Sequence, residues 1–252
     1  MTAVAMTLPT RGQTTTAAAA HGSSRRWRLV GGAALLLVSL LVAWLALRLL
    51  LAALFDAQAQ AFLADWAARD LEPAAVAFTV AERAAQSAIA LAPVADGARY
   101  DRLGRIYDWQ YYQQPLGSAE PAVVASRAKA VEAYETALAQ RPLWPHTWTR
   151  LAYAKLRLGA TDEAFVAALR RAYDLGPWRP HVNRRIAEIG LRGWTALDAS
   201  ARRMVLENVR RTAMRGGADL RHLAQVAAAT GKTRVVCAVL PEALTRRHRI
   251  CL

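Results

Sequence analysis

Between Leu29 and Leu47 the chain reads LVGGAALLLVSLLVAWLAL, 19 residues without a charge. As a helix this run is ~28 Å long at a rise of ~1.5 Å per residue, close to the hydrocarbon thickness of a bilayer. Arg48 stands at its far end, where a long side chain reaches the head groups. Apolar residues resume as far as Phe55, so a transmembrane helix is expected over residues 29–55. Arg11, Arg25, Arg26 and Arg28 precede the span, while Asp56 and Asp65 follow it. The more basic flank stays in the cytoplasm. The sequence therefore predicts a single-pass inner-membrane protein with its N-terminus cytoplasmic and its C-terminal domain periplasmic. A cleaved signal peptide is the rival, with Ala57-Gln58-Ala59 as its cleavage site, but its apolar core normally has about 7–15 residues. Residues 1–28 carry no acidic group and read as a disordered basic cytoplasmic tail.

Beyond the span the residues favour helix. Ala, Leu and Arg dominate, and no long stretch alternates as a half-buried strand does. Two segments, RPLWPHTW (141–148) and GPWRPHVN (176–183), share Pro-x-x-Pro-His at a spacing of 35 residues. Pro145 and Pro180 suit the first turn of a helix, where the missing N–H is no loss. Pro142 and Pro177 follow the preceding helices. Trp148, Leu151 and Ala152 share one helix face. Gly159 ends that helix, Thr161 is placed to cap the next, and Ala164, Ala168 and Ala172 form a small-residue stripe along it.

This unit resembles the tetratricopeptide repeat. Tyr100, Leu103, Gly104 and Tyr107 fit a first helix, and Ala130, Tyr134, Ala137 and Pro142 a second, with an insertion of about 14 residues between them. Ala81, Ala85, Ala88 and Pro93 fit an earlier second helix, and Ile186, Ala187 and Gly190 a later first one. Asp198 caps the helix after that. The resemblance implies an all-α chain: a transmembrane helix, juxtamembrane helices over 56–95, TPR-like repeats over 96–215 stacked as an α-solenoid, and C-terminal capping helices over 216–252.

The segment from Tyr100 to Pro180, with RLGRIYDWQYY and the run from ALAQRPLWPHTW to LGPWRP, is similar to the VpsP-type family of bacterial polysaccharide-biosynthesis proteins. That likeness implies a membrane-anchored, TPR-like protein of exopolysaccharide production or export. It brings no catalytic residue.

The residues themselves point away from catalysis. His146 and His181 occupy equivalent repeat positions, but no Cys or carboxylate joins them at ligand spacing, so no metal and no cofactor is expected. ATGKTR (229–234) has Val226 where a phosphate loop needs its first glycine. No Gly-x-Ser-x-Gly or Ser/His/Asp set is present. The chain reads as a non-enzyme.

Binding is the alternative. Trp109, Tyr111 and Tyr112 have no repeat assignment and, with Trp144 and Trp178, are the candidate contact surface. Tyr107 and Trp148 fall at positions that pack between helices. The net charge is +14, and only Lys129, Lys155 and Lys232 among the 33 basic residues are lysines. The arginines are dispersed, which reads as a solvated helical surface. Nucleic acid suits the charge but not the inferred compartment. The expected function is a periplasmic scaffold or assembly factor for exopolysaccharide biosynthesis or export, working by TPR-type protein binding, with other envelope polysaccharide proteins as partners. The alternatives are direct binding of an acidic polysaccharide by aromatic and Arg residues, or an adaptor in another envelope process. Cys237 and Cys251, the only cysteines, are candidates for a disulfide in an oxidising compartment.

Overall fold

The computed structural model describes residues 17–242, 244 and 251 of the chain. Among them every regular element is a helix: α1 (Ala17–Arg69), α2 (Ala75–Leu91), α3 (Gly97–Gln110), α4 (Pro121–Gln140), α5 (Pro145–Leu158), α6 (Glu163–Leu175), α7 (Pro180–Arg192), α8 (Ala199–Ala213), α9 (Gly217–Ala229) and α10 (Thr233–Cys237), with a single 3-10 turn at Trp194–Ala196. The chain divides into two units, residues 1–49 and 50–252.

In the first unit α1 begins at Ala17, inside the stretch expected to be disordered. The alanines at 17–20 are the strongest helix formers and extend the helix beyond its apolar run. Residues 1–16 of the expected tail lie outside the described residues. Leu35, Leu36, Leu37 and Val38 are each more than half exposed, as are Leu40, Leu41 and Val42. A helix of a water-soluble domain hides one apolar stripe, whereas apolar side chains displayed all round suit lipid. Among the described residues α1 is the one helix long and apolar enough to cross a membrane. The Arg48 guanidinium lies 4.9 Å from the centre of the Trp44 ring.

The second unit opens with the end of α1, where Ala59, Leu63 and Trp66 are buried at helical spacing in a core shared with Phe78 and Ala81 of α2. From α2 onward each helix packs on the next. Alternate helices also meet: α5 touches α7, α7 touches α9, and α6 touches α8. One buried cluster runs from Ala59 to Leu240.

The local sequence explains the helix boundaries. Pro121, Pro145 and Pro180 each begin a helix. Asp96, Asp162 and Asp198 cap α3, α6 and α8 by accepting from the amides of Ala98, Phe165 and Ala201. Gly159 ends α5 with φ 86°, a left-handed conformation that suits glycine. The two Pro-x-x-Pro turns share a lock. The Trp148 indole donates to the Pro142 carbonyl at 2.8 Å, and the Asn183 amide, 35 residues on, donates to the Pro177 carbonyl at 3.2 Å.

The expected stripe on α6 needs correction. Ala168 and Ala172 are buried, but Ala164 is exposed and Phe165 is fully buried beside them. Helix geometry explains the difference. An i, i+4 stripe drifts about 40° per turn, so on a face made by Phe165, Ala168, Leu169 and Ala172 it carries Ala164 to the outer edge; Asp162, not Thr161, caps α6. Of the capping helices expected over 216–252, α9 and α10 are present, whereas most of residues 241–252 lie outside the described residues.

Gly104 allows a close approach between helices. A β-carbon there would lie 2.7 Å from the Tyr134 ring, so α3 and α4 meet only because residue 104 has no side chain.

Candidate functional site

A cavity of about 690 Å³ opens among residues of α3, α5 and α7, with Ala67 and Asp70 on its margin. Its lining includes five arginines: Arg105 on α3, Arg150 and Arg157 on α5, and Arg184 and Arg185 on α7. His146 and His181 open those last two helices and also face it. Against these stand two carboxylates, Asp70 and Asp108. The arginines are far apart in sequence, yet the packing of alternate helices brings them onto one surface.

The arginines are not equivalent. Arg150 is held by Asp101 on α3, with one guanidinium nitrogen 2.7 and 2.6 Å from the two carboxylate oxygens. Arg157 is buried and structural: it donates to the carbonyls of Asp108 at 2.6 Å and Tyr111 at 2.5 Å. Arg184 lies 3.4 Å from Asp219, a carboxylate also bound by Arg215. Arg185 lies 3.2 Å from Glu188, which Arg192 and His222 also contact. Among the described residues Arg105 has no hydrogen-bond or ion-pair partner.

Burial and this charge imbalance shift the neighbouring groups. Burial lowers Arg105 from the ordinary guanidinium value, and repulsion from Arg150 adds to it. Burial also pushes His146 below the ordinary 6.5, helped by Arg150, Arg179 and His181, so it is mainly neutral near pH 7. Burial raises the Asp108 carboxyl, against the pull of Arg157 and the Tyr134 hydroxyl, which donates to Asp108 at 2.6 Å.

The aromatic residues separate into three groups. Trp109 and Tyr112 line the groove, their ring centres 4.5 Å apart. Tyr111 is half-buried and contributes its carbonyl to Arg157. Trp144 and Trp178 lie on the turns before α5 and α7, outside the groove lining. Trp178 is 85% exposed, with Arg211 at 5.5 Å, and Arg141 covers Trp144 at 4.2 Å. Tyr107 is buried and Trp148 is packed against the core.

The segment between α3 and α4 is pinned from beneath. Arg127 of α4, fully buried, donates to the carbonyls of Gln114 at 2.9 Å, Pro115 at 3.0 Å and Arg157 at 2.5 Å. This docking fixes Tyr112 over the groove.

Cys237 and Cys251 are joined, their α-carbons 5.9 Å apart. Among the described residues no group of three or more His, Cys, Asp or Glu is arranged to hold a metal ion.

Sequence reasoning missed the groove arginines. A signal was present: Arg150 and Arg185 stand at the same 35-residue spacing as His146 and His181, so one repeated helix face carries both. No protein-family model matches the chain, and no curated protein matches its sequence.

Proposed function

We propose that the protein is a membrane-anchored periplasmic scaffold of envelope polysaccharide synthesis or export, with a TPR-like body that presents the groove to an anionic partner. One observation carries the reading: five arginines from three non-consecutive helices share one concave surface with two carboxylates. Stacked helix pairs offer concave surfaces of this kind to extended ligands. The lining suits an anionic chain better than the apolar face of a partner helix.

Several features support the anchor, the compartment and the repeat. The N-terminal part of α1 has the length and composition of a single span. Arg25, Arg26 and Arg28 before it favour a cytoplasmic N-terminus. The Cys237–Cys251 bond suits an oxidising compartment. The repeat draws support from the alternate-helix contacts, the Gly104–Tyr134 approach and the matched locks at Pro142 and Pro177. The link to polysaccharide rests on the resemblance of residues 100–180. A tether would raise the local concentration of the groove near membrane machinery.

Photo-crosslinking in the native cells tests this. With a photoreactive amino acid in place of Tyr112, the expected partners are polysaccharide-synthesis or export components, or the polymer itself. Partners drawn only from secretion or cell division would replace this reading with an adaptor role in that process.

A further inference from the structure

We infer that the groove binds an acidic polysaccharide, and that Arg105 is the residue that takes its carboxylate. This rests on the groove being the binding site. It adds the chemical class of the ligand and the residue that anchors it.

Arg105 is the point of unbalanced charge. Asp101 satisfies Arg150, backbone carbonyls satisfy Arg157, and Arg184 and Arg185 each share a carboxylate with other cations. Arg105 faces the same cavity without a partner among the described residues. It is half-buried, and Arg150 and Arg102 repel it against the pull of Tyr134 and Asp101. A carboxylate seated there would relieve that repulsion and accept paired hydrogen bonds from the guanidinium fork.

The rest of the lining selects among anionic polymers. Among the described residues that line it Ala67 is the only aliphatic one; the others are charged groups, imidazoles, aromatic rings and Thr149. An acidic peptide adds aliphatic side chains that seek apolar pockets, and the apolar part of this lining is aromatic rather than aliphatic. A uronate chain needs no aliphatic pocket, since its edges are hydroxyl and carboxylate. Single-stranded nucleic acid needs open aromatic faces for its bases. Here Trp109 and Tyr112 meet each other at a 35° tilt rather than standing apart as separate platforms, and the Tyr153 ring has Arg185 at 5.1 Å and Arg157 at 5.9 Å. The disulfide also suits a compartment without nucleic acid.

The test uses the full-length protein in detergent micelles and calorimetric titration. The probes are oligogalacturonate, its neutral methyl ester, polyglutamate and oligodeoxythymidylate. Oligogalacturonate is expected to bind, and the methyl ester is not. Arg105→Gln should weaken oligogalacturonate binding about tenfold, the size of one charge-assisted hydrogen bond. Arg105→Lys should retain part of the affinity. Arg221→Gln removes an exposed charge away from the groove and should change nothing. Thermal unfolding of each variant monitors the fold, and the ester comparison needs no variant at all. Arg105-dependent binding of polyglutamate or oligodeoxythymidylate, as tight as the uronate or tighter, would keep the groove and overturn the glycan assignment. If no probe depends on Arg105, the groove reading falls as well.

Discussion

Arg127, fully buried on α4, donates a hydrogen bond to the main-chain carbonyl of Arg157 near the end of α5, 2.5 Å away. The same guanidinium holds the carbonyls of Gln114 and Pro115, and the Arg157 carbonyl also accepts from the Gly117 amide. One cation thus ties the inserted segment to α5.

Replacing Arg127 by Leu removes this donor from the Gln114 and Pro115 carbonyls and leaves the Arg157 carbonyl with the Gly117 amide alone. The expected loss is about 3 kcal/mol, because a hydrogen bond to a charged group contributes about 1.5–3 kcal/mol and the exposed Gln114 and Pro115 carbonyls turn to water instead. Thermal unfolding reads the loss. Limited proteolysis should cut between residues 111 and 120 before it cuts elsewhere in the body. Unchanged cleavage there would mean that the segment is held by something other than Arg127.

Gly104 and Ala164 make a contrasting pair. Gly104→Ala drives a methyl group into the Tyr134 ring and should cost about 1–3 kcal/mol. Ala130→Trp, at a fully buried α4 position, should cost at least as much. Ala164→Trp, at an exposed position, should stay within about 0.5 kcal/mol. Three melting curves suffice. A large loss at 164 would restore the all-alanine stripe on α6.

These residues also show what a reader of the sequence can and cannot see. Proline and glycine act through their own backbones, so Pro145, Pro180 and Gly159 mark helix ends without tertiary information. Gly104 and Tyr134 were each legible as helix-packing positions from their spacing, though their contact was not. The full α6 face was not legible, because an all-alanine i, i+4 stripe does not show that the face is centred between Phe165 and Ala172 and leaves Ala164 at its edge. The groove was hidden for a different reason. Its arginines lie on three helices separated by others, so only the stacking of alternate helices brings them together.

Acid should weaken the body through His146. Its folded-state value lies below 6.5, because burial, then Arg150, Arg179 and His181, disfavour the imidazolium, while Asp101 opposes them. Its contribution is therefore fully present above 6.5 and is lost as the pH falls through the folded value. Glu188 acts in the same sense at lower pH. Burial raises it, but Arg185, His222 and Arg192 outweigh this and hold it below the ordinary carboxylate range. Asp108 works in the opposite direction, since its raised value penalises the folded state as the pH rises. Denaturant midpoints between pH 7.5 and 5.5 should fall, and His146→Gln should flatten the curve. An unchanged slope in that variant would remove His146 from the account.

The Cys237–Cys251 bond pins the C-terminal end, where Val236 and Leu240 are buried. Closing a loop of this length contributes about 3 kcal/mol in the chain-entropy model. Protein taken from the membrane without reductant should resist alkylation at both cysteines, as intact mass would show. Two alkylated cysteines would mean that the bond does not form in the cell.

A periplasmic scaffold requires the groove to work outside the cytoplasm on a membrane tether. Reporter fusions at the C-terminus of the full-length chain test it most directly. Alkaline phosphatase fused there should be active, and a reporter that functions only in the cytoplasm should be silent. The reverse pair of results would place the groove in the cytoplasm and contradict the periplasmic scaffold.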